Sequence, residues 1–153
     1  MKIKISYFYQ IRFFKENQIP ISTAKWDPIW YHNNQRNYKT IFYDKNNVLN
    51  GLRIEELSPD KNCENLCKGI NLCEIRDPDK CNFIKEYQKQ LNSLDFNFIL
   101  NKLESIACKF GKNFKNIELI LIVYETPNNP CSERNSIIEW FKRNGVEIEE
   151  FNK

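Results

Sequence analysis

The chain of 153 residues is short of histidine, of long apolar runs and of charge of one sign. Its single histidine is His32, so a Cys–His catalytic pair has one candidate, and that loop residue would have to fold onto a distant cysteine. The longest apolar run, Leu119 to Tyr124, is far too short to cross a bilayer, so no membrane is expected as a partner. The amino end, MKIKISYFYQIRFF, has neither a long apolar core nor a small-residue cleavage site. No signal peptide is expected there, and the cytoplasm is the expected compartment. Net charge is +3, from 23 basic and 20 acidic residues interspersed along the chain. A nucleic-acid binder gathers its basic residues on one face, so nucleic acid is the less favoured partner.

What is present fits a packed α/β domain over residues 1–153. Apolar residues at 41% and aromatics at 14% are too many for a disordered chain. KIKISYFY alternates and is rich in β-formers, so it reads as a first strand. QIRFFKENQ reads as a short helix and IPISTA as a second strand. Lys25 to Pro59 is aromatic, rich in asparagine and irregular, a long loop of the kind that often carries function. Asp77-Pro78 resembles a cap with a first-turn proline, and the helix after it aligns Phe83, Ile84, Tyr87, Leu91 and Leu94. A second helix aligns Ile99, Leu103, Ile106 and Phe110 and stops at Gly111, with Cys108 expected in or near the core. IELILIVYE is almost continuously apolar, as a strand covered on both faces should be. PCSERNSIIEWFKRNG is a helix closed by Gly145, and VEIEEF a last strand. This order predicts a mostly parallel sheet with helices on its faces, its strand order not legible from the sequence.

Four of the six cysteines fall within residues 60–82, as C-x3-C-x5-C-x7-C: Cys63, Cys67, Cys73 and Cys81. Four thiolates in one short segment suit tetrahedral zinc, at about 2.3 Å each. Gly69 and the boundaries at Pro59 and Pro78 let the chain turn tightly around an ion. Paired C-x2-C knuckles are absent, and four cysteines also serve iron–sulfur clusters, which remain the alternative. Disulfides are disfavoured in a cytoplasmic chain. With all ligands from protein, such a zinc site would be closed and structural rather than catalytic.

Cys131 stands apart, where the apolar strand hands over to a helix. Asn129 reads as the cap and Pro130 as the first helical residue, which puts Cys131 and Ser132 in the first turn. Free N–H groups and the helix dipole favour an anion there, and Arg134 adds a charge-assisted contact. The same field is expected to lower the Cys131 thiol pKa, which makes it the candidate nucleophile if there is one. The spacing C-x2-R is three residues short of the C-x5-R phosphatase loop.

The chain resembles the prokaryotic domain-of-unknown-function family 488, in a branch with a cysteine-rich insert. The likeness rests on ISYF, ISTAKWDPIW, NGLRIEEL, the cysteine insert, IKEYQKQLNSLDFNFIL and LILIVYETPNNPCSERNSIIEWFKRNGVEIEE, nearly the whole chain. Many members carry Cys-His-Arg after the last long strand, where this chain has Cys-Ser-Glu-Arg from Cys131 to Arg134. The resemblance implies a Rossmann-like fold and carries no reaction. It marks Trp26, Pro28 and Trp30, Gly51, Leu52 and Arg53, and Cys131 and Arg134. Arg53 offers a second guanidinium for an anion, and Trp26, Trp30 and Tyr31 offer rings for stacking. The expected function is therefore binding of a phosphate-bearing or nucleotide-like ligand near Cys131, Ser132, Arg134, Arg53, Trp26 and Trp30, with zinc in the insert. The alternatives are a nucleic-acid module using Lys61, Lys68, Arg76 and Lys80 around the metal loop, and a thiol or iron–sulfur redox sensor.

Overall fold

Leu119 to Val123 are 0% exposed, and a strand so buried needs cover on both faces. In the computed structural model this strand is β6 (Glu118–Val123), the middle of a five-stranded sheet. The structure describes residues 1–33, 42–43, 49–67, 73, 76–112 and 115–153, with side chains for all of these except 32, 33, 42, 43, 49 and 50. The His32 side chain, Lys68 and Gly69 lie outside the described residues, as does part of the loop from Lys25 to Pro59.

The other strands of the sheet are β1 (Lys2–Tyr7), β2 (Gln18–Ser22), β5 (Leu52–Arg53) and β7 (Glu149–Glu150). Their order is β5-β2-β6-β1-β7, and every pairing is parallel. Two-residue strands β3 (Phe42–Tyr43) and β4 (Leu49–Asn50) form a separate antiparallel pair. The helices are α1 (Ile29–Asn33), α2 (Asn82–Ser93), α3 (Phe96–Gly111) and α4 (Glu133–Arg143). This is a Rossmann-like α/β fold with an all-parallel main sheet. Among the described residues no helix is long and apolar enough to cross a membrane.

Strand period sorts the core into two clusters. Ile3, Ile5, Ile19, Ile21, Leu119, Leu121 and Val123 face α2, α3 and α4, where Tyr87, Leu91, Ile99, Leu103, Ile137 and Phe141 complete the larger cluster. Ile120 and Ile122 face the other way, onto Phe8, Ile11, Ala24 and Tyr31. Each fully buried Leu or Ile contributes about 1.5–3 kcal/mol, so this strand supplies an outsized share of the hydrophobic driving force. A polar clamp fixes α2 to the chain before the insert. Tyr87 Oη donates to Leu57 O at 2.5 Å, and Gln90 Nε2 donates to Ser58 O at 2.6 Å. Gln90 Oε1 accepts the Asp60 N–H at 2.9 Å.

Several local expectations shift. The expected helix in QIRFFKENQ is a 3-10 helix at Phe8–Phe13. Asp77 caps a 3-10 turn, Pro78–Lys80, and α2 begins only at Asn82. Of VEIEEF only Glu149–Glu150 pairs, with β1. Cys108, expected near the core, is exposed. Five residues beyond Leu103 a helix has turned about 140° off the buried side, which puts Cys108 on the solvent side of α3.

The NGLR element has a steric explanation. Tyr31 is 0% exposed, and its hydroxyl donates to Leu52 O at 2.6 Å. Its ring lies so close to Gly51 that a Cβ there would come within 2.3 Å of ring carbon. Gly51→Ala should therefore destabilise the protein by about 1–3 kcal/mol, the usual cost of overpacking. Urea unfolding measures it, and a change within error would show that the Tyr31 ring is free to withdraw.

Candidate functional site at the carboxyl end of the central strand

Open parallel sheets bind ligands beyond the carboxyl ends of their strands, and here β6 leads from that edge into α4. The connection is built from local hydrogen bonds. The Asn129 N–H donates to Thr126 O at 3.1 Å, and the Cys131 N–H donates to Asn129 Oδ1 at 2.9 Å. Ser132 Oγ accepts from the Arg134 N–H at 3.1 Å and donates to Glu125 Oε2 at 3.1 Å. The cap of α4 is therefore Ser132, and the helix starts at Glu133. This corrects the expected start at Asn129 and Pro130. The Asn129 side chain closes a turn ahead of the helix instead, so Cys131 lies just outside the first helical turn.

Arg134 is the most enclosed charge of this edge, only 3% exposed. Its Nη1 donates to Glu125 O at 2.8 Å, and its Nε faces Glu150 Oε1 at 2.5 Å in an ion pair that lacks hydrogen-bond alignment. The guanidinium lies over the Tyr7 ring at 5.9 Å from the centroid. Its Nη2 is buried with no hydrogen-bond partner among the described residues. Arg134 thus ties β1, β6, β7 and α4 together and has one N–H direction left over.

Glu133 is not among the residues singled out from the sequence. Glu133 is 4% exposed. Burial, then the neighbouring Glu125 carboxylate, pushes its carboxyl up to about 8, against a smaller opposing pull from Arg134. A signal for it was available, because Glu133 precedes Ile137, Trp140 and Phe141 at the spacing of one buried helix face. Burial also raises the Glu150 carboxyl, with Arg134 opposing. Near neutral pH this edge holds a protonated carboxyl beside an enclosed guanidinium.

The thiol expectation changes sign. Burial raises the Cys131 pKa, and the nearby Cys81, Cys73 and Cys67 thiols and the Asp77 carboxyl raise it further. Cys131 also lies ahead of the first helical turn, outside the place where the dipole was expected to act on it. Arg53 is bound within the protein. Nε donates to Glu55 Oε1 at 2.8 Å, Nη1 to Asp27 Oδ1 at 2.6 Å and Nη2 to Ala24 O at 2.8 Å. These bonds fix the turn after β2, and no described contact joins Arg53 to Arg134. Trp26 is 75% exposed. Trp30 packs edge-on against Phe8 at 6.2 Å, and Phe8 in turn meets Tyr124 at 6.3 Å, so Trp30 belongs to an aromatic group at the end of β6.

The four insert cysteines differ in their surroundings. Cys63 is 3% exposed inside the larger core cluster, with its Sγ 3.8 Å from Gln90 Oε1. Burial, then Asp60, pushes its thiol up to about 11. Cys67 is exposed, and Cys73 and Cys81 are half-buried. Among the described residues no three His, Cys, Asp or Glu side chains stand at metal-holding distance. Set against protein-family models, curated proteins and solved structures, the chain has no significant match.

The Glu133 carboxyl gives a pH signature. Its folded pKa of about 8 lies above the ordinary value of 4.5, so the folded state holds a proton that the unfolded state releases. Stability should fall as pH rises from about 5 to about 8, with a limiting slope near 1.4 kcal/mol per pH unit. Glu133→Gln should flatten that slope. Equal slopes for the two proteins would mean that Glu133 is ionised in the fold.

Proposed function

We propose that the carboxyl edge of β1 and β6 binds a small anionic ligand, phosphate-bearing or nucleotide-like, with Arg134 as its anchor. The observation that carries this reading is the buried Nη2 of Arg134, which has no hydrogen-bond partner among the described residues. An unsatisfied buried donor costs about 1–3 kcal/mol, more when charged, and a ligand oxygen would remove that cost. Glu133, protonated below about pH 8, brings a second donor near the same guanidinium. Tyr124, 65% exposed and next to Glu125, offers a face on which a base can stack. The anion takes over the role of Glu150, whose carboxylate holds Arg134 in this structure. Arg53 stabilises the neighbouring turn and does not touch the ligand. The likeness to family 488 belongs to this proposal, and the Rossmann-like sheet supports it. The reading leaves open whether the bound molecule reacts; Cys131, with its raised thiol pKa, is a weak candidate nucleophile.

A thermal-shift screen with inorganic phosphate, sugar phosphates and nucleotides tests the reading. A ligand at a hundredfold its Kd should stabilise the protein by about 2.7 kcal/mol. Glu150→Gln should tighten binding by freeing Arg134, and affinity should fall as pH rises through about 8. No stabilisation by any of these compounds at millimolar concentration would overturn the proposal.

A further inference from the structure

The sequence places four cysteines in one segment, yet the fold buries one of them, Cys63, and the other three act electrostatically on a fifth, Cys131. Helices α2 and α4 pack together and run in the same direction. The contacts advance along both. Glu133 lies near enough to Tyr87 to act on its hydroxyl. Gln88 shares a groove with Ser136 and Glu139, and Arg143 Nη2 donates to Asn92 Oδ1 at 3.1 Å. Cys81 directly precedes α2, and Cys131 precedes the cap of α4.

Cys73 and Cys67 come to the same end, since they, Cys81 and Asp77 act electrostatically on the Cys131 thiol. Cys63 is not among those neighbours. Its own acidic neighbours are Asp60 and Glu86. Its sulfur lies in the core against Gln90 Oε1, a contact only a protonated thiol can donate. Ionising Cys63 would leave a bare negative charge among Leu57, Tyr87 and Leu91, which is strongly unfavourable. Cys73, by contrast, accepts a hydrogen bond from the backbone. The Arg76 N–H donates to its Sγ at 3.3 Å, with Arg76 in the left-handed region at φ 50.

We propose that Cys67, Cys73, Cys81 and Cys131 bind a single Zn(II) as four thiolates, with Cys63 a core residue and not a ligand. The ion joins the insert to the strand-to-helix turn instead of closing the insert on itself. Among the described residues of 60–82, Cys63 is the only apolar side chain in the core, so a metal supplies cohesion that apolar contacts do not. Among the described residues no three of these side chains stand at metal-holding distance in this structure. Each thiol loses its proton to solvent as its sulfur binds, so affinity rises with pH. This inference does not depend on whether an anion binds at Arg134.

The test uses untagged full-length protein handled without oxygen, loaded with Zn(II) and freed of excess, with the wild type compared to Cys131→Ser and Cys63→Ser. Wild type and Cys63→Ser should each hold one zinc. Cys131→Ser should bind more weakly by over a hundredfold, beyond the roughly 10–100-fold lost when only a supporting residue is removed. Cobalt in wild type should give the intense visible bands of a tetrahedral thiolate site. Folding of the variants does not limit the test, because alkylation can be mapped on wild type. Zinc should protect Cys67, Cys73, Cys81 and Cys131, a chelator should expose them, and Cys63 should stay unreactive in both states. Loss of zinc from Cys63→Ser with retention by Cys131→Ser would overturn the proposal. So would a wild type that binds no zinc, or one that carries iron and sulfide instead.

Discussion

Burial of β6 on both faces is the constraint on which the other features depend. A strand with Leu119 to Val123 fully enclosed must lie between two paired strands and under two layers of side chains. The chain meets that demand late, because β6 is next to last in sequence yet lies between β1 and β2. Everything made before it must leave a gap of strand width, with one apolar face on each side. The helical side meets this with α2, α3 and α4, and the other side with Phe8, Ile11, Ala24 and Tyr31.

The same constraint positions the chemistry. A central strand that ends under helices delivers its next residues into a partly enclosed edge. Glu125, Ser132, Glu133 and Arg134 are polar, yet the last three are almost fully buried there. Burial in a low-dielectric edge explains both the raised Glu133 carboxyl and the tight hold of Glu125 and Glu150 on Arg134. Because α2 and α4 run alike, the start of α2, with Cys81 just ahead of it, comes to this edge as well. The anion reading and the metal reading thus concern neighbouring parts of one edge.

Much of the fold was legible in the sequence, for reasons that can be named. The continuous apolar run of β6, the period-two pattern of β1 and the helical spacing of Tyr87, Leu91, Ile99 and Leu103 each follow from burial on a regular element. Cap positions were less legible. Asn129, Cys131 and Ser132 offer competing local hydrogen bonds, and only the geometry decides that Ser132 caps α4. Arg53 looked like a ligand for an anion because its partners, Asp27, Glu55 and the Ala24 carbonyl, meet it only in the folded turn. The cysteine spacing likewise does not show that one of the four, Cys63, is drawn into the core beside Gln90, because the Tyr87 and Gln90 clamp forms only in the fold.

The central claim is that the turn after β6 and the cysteine insert share one edge, with Cys131 facing Cys67, Cys73 and Cys81. Peptide mapping after mild oxidation of the metal-free protein tests it directly, because a disulfide forms only between thiols that can approach closely. The account predicts cross-links from Cys131 to Cys81, Cys73 or Cys67, with Cys63 recovered as a free thiol. Cross-links confined to the insert and involving Cys63, with Cys131 left free, would contradict it.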